Sequence, residues 1–597
     1  VKVPVLPVAR IGWIVLGALL LALLVGALRF DRAGRPSLVG DEATYAMQAA
    51  SLAWDFDLRY SRADFDRFLA QWGGPPDGLI LQSRDNGSHL TYGKPFLYAL
   101  AIAPFVRFAP VRGGLIANVL FLAAAALLAA RSLERRIGPA APLWVAVFLF
   151  ASVSFGYAFW VHADLFQLAT TAAGLALVYR GEREEEDKPL PQIWGDDPSP
   201  ARRVFLRWFL AGLLLAVAGA FRPFYLALLL PAGLAAWSGG RRKQAVGGLL
   251  AGALVLLLFT ASVQWLAGGD WSGYGGERQG FYPRTGYPEV DFPASRWNAS
   301  LQKWGNTAWI QEGGIEPSFH PKLLGWNTAY FLAGRNVGVL PYFLPFLLGF
   351  TAWGRERGRW ALPLAVALAV LGFFVLRPFN FYGGGGAIAN RYFLPLYPAF
   401  WFLAARPARV WPAVLLTGLA APFLLPLWSH PTQFPIGNDG RYAHVSAFAQ
   451  RWLPYETTQS HIPGGQDVAM NGIWLKLLSH NVYRAGETRL RIVGANRGEL
   501  LIGSPHPLER VYVELGREAP VKIEVGKQVL HPSLMSPDGS ITFDVPLGAP
   551  RAVHPMWWTW DDYYLYDLDL RLPGMPPIPV SLRIEPAHLL LQKSRGR

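Results

Sequence analysis

Asp41 and Glu42 stand side by side in Gly40 to Glu42, and Ala43 to Trp54 follow with helical periodicity. Adjacent carboxylates can supply a general base, which takes the proton of an attacking hydroxyl. They are also what the first turn of a helix favours, because its free N–H groups and macrodipole attract negative charge. Spacing alone leaves the two readings level. Tyr92, Gly93, Lys94 and Pro95 form a second group. A lysine that opens an apolar helix at a membrane surface can meet a lipid phosphate, and it can equally snorkel toward water.

A third group, Trp160 to Asp164 (WVHAD), holds His162 and Asp164 at a spacing too weak to argue for a metal site; capping explains them as well. Arg222 and Arg391 stand at the ends of apolar segments, in Phe221 to Pro223 (FRP) and Asn390 to Pro395 (NRYFLP). Guanidinium groups suit phosphate, though an arginine at a helix end can also cap carbonyls.

What must position these residues is a membrane. The chain has 597 residues, 52% of them hydrophobic, with 48 prolines and 62 glycines, which membrane helices tolerate. The 24 tryptophans and 22 tyrosines suit interfacial belts. A net charge of +14 is spread over short connectors rather than gathered on one helix or arm, which argues against nucleic acid as partner. With no cysteine, a disulfide framework and thiolate metal sites are excluded.

Apolar runs fall at 11–29, 112–130, 139–159, 164–179, 204–220, 223–238, 244–266, 336–353, 360–377, 391–405 and 409–428, which predicts about eleven spans. The short basic connectors at 131–138, 239–243, 354–359 and 406–409 all fall on one side of that count. The positive-inside rule makes that side cytoplasmic, with the N-terminus inside and the C-terminal part outside. The long connectors at 29–112, 267–335 and 380–390 then lie outside, with Asp41, Glu42, Tyr92, Lys94 and Arg391 in or beside them and His162, Asp164 and Arg222 at short outer junctions. Lys94 to Phe108, with Pro95 and Pro104, is too short for a span and is expected to be an interfacial helix. Charged residues are nearly absent from the middles of the spans, whereas a secondary transporter would place ionisable groups near the midplane.

Beyond Trp428 the pattern changes to short alternating runs, Arg510 to Leu515 and Val521 to Val525 among them, separated by turn residues. The expected fold is therefore an α-helical polytopic membrane domain over 1–428, a connecting segment over 429–480 and an extracytoplasmic β-sandwich-like domain over 481–597. The tract Met556 to Tyr566 could stack on sugar rings or pack as a core strand. The glycine run Gly383 to Gly386 reads as a flexible outer loop, and 271–326 as a lid over the site. Residues 181–203 read as a polar cytoplasmic linker.

The ordered set Gly40 to Leu52 (GDEATYAMQAASL), Lys94 to Leu100 (KPFLYAL), the Asp164 junction and Arg391 to Phe400 (RYFLPLYPAF) resembles the glycosyltransferase C superfamily. The likeness covers roughly residues 10–405 and is strongest to its protein O-mannosyltransferase and aminoarabinose transferase branch. That resemblance implies an inverting enzyme that moves a sugar from a polyprenyl phosphate carrier to an extracytoplasmic acceptor. It implies Asp41 as base, Lys94 as ligand of the leaving phosphate, and Asp164 as a second carboxylate near the centre. Two departures stand out: Phe96 follows Pro95 where the family often has a second proline, and Gly40 replaces a bulky apolar residue.

The candidate catalytic residues are thus Asp41, Glu42 and Asp164, and the candidate substrate-binding residues Tyr92, Lys94, His162, Arg222 and Arg391. Some members of the superfamily use a divalent cation such as Mg or Mn and others do not. Asp41, Glu42, His162 and Asp164 could serve either design, so metal ligands stay unassigned. The expected partners are a polyprenyl-phosphate sugar, membrane lipids, an acceptor of unknown kind and a protein bound by the β domain; the expected location is a bacterial inner membrane. The rival reading is a non-catalytic membrane scaffold whose β domain binds a partner or glycan.

Overall fold

The computed structural model describes residues 8–30, 38–83, 87–180, 200–269, 271, 277–283, 285–296, 321–354, 356–378, 380–384, 387–433, 444–459, 466–477, 482–484, 490–492, 497–516, 522–526, 528–555, 562–573 and 580–586. Most of the 181–203 linker, much of the 271–326 loop, the end of the Gly383 run and the first half of the Met556 tract fall outside them.

Among the described residues five helices are long and apolar enough to cross a bilayer: α1 (Val8–Leu28), then Gly113–Ile137, Pro200–Phe221, Arg242–Gly268 and Trp411–Ser429. The chain is a membrane protein with a helical membrane part. The other segments expected as spans are shorter or broken. Ala141–Phe150 is followed by a 3-10 helix, Val153–Phe159, bent from it by 66°. Asp164–Val178, Pro223–Trp237, Val339–Thr351 and Ala361–Leu376 are short apolar helices, and 391–405 is a 3-10 turn plus a six-residue helix, Pro398–Leu403. Prolines such as Pro395 and Pro398 explain the interruptions, and irregular backbone is tolerated at such depth because Arg391 to Leu403 is buried in protein.

Between the first two long helices lie α2 (Asp41–Trp54), α3 (Arg62–Trp72) and α4 (Leu97–Phe108), with β1 (Leu79–Ser83) and β2 (Thr91–Tyr92). The stretch beginning at Lys94 is therefore helical over twelve residues with Pro104 inside, too short to span. β3 (Glu277–Phe281), from the loop expected as a lid, pairs antiparallel with β1 to make a small sheet ordered β2-β1-β3. Helix α2 is buried from Glu42 to Ser51, so it is a core helix that anchors this polar layer.

The C-terminal strands form two antiparallel sheets. One is built chiefly on Ile473–Leu477, Arg497–Ser504 and Asp562–Arg571, the other on Arg510–Leu515, Ile541–Pro546 and Val580–Pro586. Leu475, Ile502 and Leu568 of the first sheet share one apolar cluster with Val513, Phe543 and Ile584 of the second, as two sheets packed face to face require. The first strand begins at Gln466, inside the stretch expected as connector. Trp326, on helix Pro321–Ala333, packs with Trp474, Leu501 and Leu565 on the opposite face of the first sheet.

Candidate active site

Four separate parts of the chain bring charge to one place. Asp41 is the first residue of α2, entered through Gly40 at φ 57° and ψ −115°, a backbone region that disfavours any residue with a Cβ. That conformation accounts for the glycine where the resembling family has a bulky residue. The Asp41 carboxylate makes no cap to its own helix. It receives Lys94 Nζ at 2.5 Å on Oδ1, and Arg391 Nη2 at 3.0 Å on Oδ2.

Lys94 follows β2 directly and is buried, with its backbone carbonyl accepting from Gln48 Nε2 of α2 at 3.2 Å. Arg391 opens its 3-10 turn, where Asn390 Oδ1 caps the Phe393 N–H. His162 Nε2 is 2.9 Å from Asp41 Oδ2, and His162 Nδ1 is 2.5 Å from Asp164 Oδ2. Arg391 Nη1 lies 2.8 Å from His162 Nε2.

These contacts constrain the proton on the imidazole. Asp164 only accepts, so the proton belongs on Nδ1, and a neutral ring then uses Nε2 to accept from Arg391. Adding a second proton at Nε2 converts the contact with Asp41 into an ion pair. Asp41 thus faces the cations Lys94 and Arg391, while Asp164 feels the charges of Arg391 and Arg222. Burial by itself would raise the Asp41 carboxyl, but the charges of Lys94 and Arg391 and the His162 contact together hold it well below the usual carboxylate range.

The remaining expected residues stand in other places. Glu42 is buried and its Oε1 accepts the Val161 N–H at 3.0 Å, which clamps the strand-like turn that presents His162. Tyr92 is buried with its ring edge-on to Tyr60 at 6.3 Å and its hydroxyl without a hydrogen-bond partner among the described residues; burial pushes that phenol well above its ordinary pKa. Arg222 lies 3.7 Å over the ring of Tyr392, near enough for its charge to act on Asp164 and Arg391. Among the described residues no group of three or more His, Asp or Glu is arranged to hold a metal ion.

Two positioning residues escape a reading of the sequence alone. Gly383 has φ 112°, and a Cβ there would fall 2.3 Å from Arg391 Cγ and 2.4 Å from its Nε. The glycine run ahead of Asn390 and Arg391 thus begins with a residue whose missing side chain makes room for the guanidinium arm. Tyr45, one turn along α2 from Asp41, meets the His162 ring edge-on at 5.5 Å.

Fold and site define a polytopic membrane protein with a carboxylate centre flanked by cations beside the ends of its short apolar helices. Two solved structures are similar to this chain: ArnT from Cupriavidus metallidurans bound to undecaprenyl phosphate, with a TM-score of 0.38, and the same protein in the apo state, with 0.37. Each is 16% identical in sequence, and they cover 70% and 71% of this chain. The chain spans 62% of the length of each. No family model matches the chain, and no curated protein matches it.

Proposed function

We propose that this protein is a membrane glycosyltransferase that moves a sugar from a polyprenyl-phosphate carrier to an extracytoplasmic acceptor with inversion. The observation that carries the reading is the meeting of Asp41 with Lys94 and Arg391. A carboxylate flanked by two phosphate-binding cations holds both parts that the reaction needs.

In the reaction, the acceptor oxygen attacks the anomeric carbon, its proton passes to Asp41, and the bond from that carbon to the phosphate oxygen breaks. The electron pair leaves with the polyprenyl phosphate, whose charge Lys94 and Arg391 stabilise. Without donor, both cations are engaged by Asp41. An arriving phosphate competes for them, and the carboxylate then loses the charges that depress its proton affinity. Donor binding in this way strengthens the base only when a substrate is in place. His162, held by Asp164, takes up or releases the hydrogen bond of Arg391 as that arginine turns toward phosphate.

The sugar is a hexose or pentose carried on a polyprenyl phosphate, and the acceptor is a protein, lipid or glycan. The distribution of basic connectors supports a bacterial inner membrane, with the N-terminus cytoplasmic and the β-rich part outside. The β-rich part is the proposed site for a protein partner or glycan.

The test is transfer of labelled sugar from polyprenyl-phosphate donors by protein reconstituted in liposomes, comparing the native chain with Asp41→Asn. Loss of transfer with intact folding supports the enzyme. No transfer by either form would overturn it in favour of a scaffold, and equal transfer by both would remove Asp41 from the role of base.

A further inference from the structure

The segment Tyr455 to Gln459 (YETTQ) lies in the stretch between the last long helix and the β sheets, yet it is buried. Glu456 is fully buried, accepting the Asn336 N–H at 2.6 Å, the Val337 N–H at 2.9 Å and Asn336 Nδ2 at 2.7 Å. Thr457 Oγ1 meets the Tyr330 hydroxyl at 2.8 Å, and Thr458 Oγ1 donates to Asn327 Oδ1 at 2.7 Å. Both partners are on helix Pro321–Ala333, whose Trp326 packs against the first β sheet.

Gln459 reaches further. Its Nε2 donates to Pro378 O at 3.0 Å and to Asn327 Oδ1 at 3.1 Å, while its Oε1 accepts the Phe381 N–H at 3.3 Å. The next residue, Tyr382, accepts the Arg391 N–H at 3.1 Å through its carbonyl. One side chain therefore grips both the entry of the 380–391 loop and the helix that carries the β sheets. The loop needs such a grip, because Ala389 sits at φ 54° without being glycine, and such a conformation persists only where its surroundings enforce it.

Resting on the transferase reading above, we infer that Gln459 is a positioning residue, by which the segment entering the β-rich part sets Arg391 for the donor phosphate. Gln459 touches no reacting atom in this scheme; it acts through Phe381, Tyr382 and Gly383 on the guanidinium. The arrangement makes lipid-phosphate binding depend on the docking of the C-terminal part.

Two measurements on the full-length protein in detergent test this. The first is amide hydrogen exchange across 380–392 and, as reference, 41–54; it needs no ligand. Gln459→Ala should speed exchange in 380–392 by about tenfold and leave 41–54 unchanged. Thr457→Val, which breaks a bond of the same segment away from the loop, should leave both unchanged. The second is binding of a polyprenyl phosphate, which Gln459→Ala should weaken by about tenfold, with Gln459→Glu, which sets an acceptor against Pro378 O and Asn327 Oδ1, at least as weak.

Unchanged exchange in 380–392 for Gln459→Ala overturns the inference, as does equal loosening by Thr457→Val, because either makes the segment generic packing. Faster exchange with unaltered lipid binding also overturns it. If the native protein binds no polyprenyl phosphate while Gln459→Ala still loosens the loop selectively, the donor reading fails and the grip on Arg391 stands.

Discussion

Asp41 Oδ2 and Arg391 Nη2 lie 3.0 Å apart although 350 positions separate the residues in the chain. The contact joins the first polar helix after α1 to a 3-10 turn near the end of the membrane part, and the rest of the centre is assembled around it. Lys94 and His162 complete the shell of the same carboxylate. Lys94 and Arg391 both contact Asp41, so an incoming phosphate must compete with that carboxylate for them.

That competition separates catalysis from binding at Asp41. Asp41→Asn should lower sugar transfer by about 10² to 10⁴, the usual worth of a general base. It should at the same time tighten polyprenyl phosphate binding by about tenfold, since the cations lose their internal partner. Titration calorimetry beside the transfer assay checks this, and weaker lipid binding in the variant would contradict it.

Lys94→Ala removes one of the two charges that depress Asp41, so the carboxyl must rise toward the value that burial favours. The acid limb of kcat/KM should move to higher pH, and KM for the lipid donor should rise by about 10- to 100-fold. A pH profile from about 4 to 8 reads both effects; an acid limb that stays in place would argue against a base at Asp41.

The Asp41 carboxyl is depressed in the folded state, so its contribution to stability is complete above the ordinary carboxylate value of about 4. It is lost as pH falls from there through the lowered folded value. Tm of the native chain should carry an acid-side fall, beginning below about pH 4, that Asp41→Asn lacks. An Asp41-dependent fall centred near pH 6 would be the wrong sign of shift.

Glu42 should prove structural. An amide oxygen can still accept the Val161 N–H, so Glu42→Gln should keep transfer within about threefold. Glu42→Ala leaves that buried donor unsatisfied and should cost about 1 to 3 kcal/mol of stability, seen as a lower Tm. Loss of transfer in Glu42→Gln at unchanged Tm would instead place Glu42 in the chemistry.

Gly383→Ala adds a methyl where Arg391 already lies and strains a backbone at φ 112°. We expect a cost of about 1 to 3 kcal/mol and a fall in donor binding comparable to that of Arg391→Ala. Wild-type binding in Gly383→Ala would show that the arginine can be held another way.

A linear reading already contains much of this protein. Apolar runs of about 20 residues declare membrane spans, because a bilayer of fixed thickness needs them. Alternation declares strands beyond Trp428. Asp41, Lys94, His162, Asp164 and Arg391 each stand out as polar groups at the edges of apolar segments, where burial is costly without a partner. What the sequence leaves level is whether each is a cap, a snorkelling cation or a partner, since local spacing is the same in all three cases. Only the fold decides that Asp41 binds cations from two distant segments while Glu42 beside it turns to a backbone amide. Among the described residues five helices pass the length rule, while segments such as Asp164–Val178 are shorter apolar helices with much of their length buried in protein. Gly383 and Gln459 acquire their meaning entirely from packing. A missing Cβ or a set of side-chain hydrogen bonds has no periodicity to betray it, and each acts through contacts that exist only once the chain is closed.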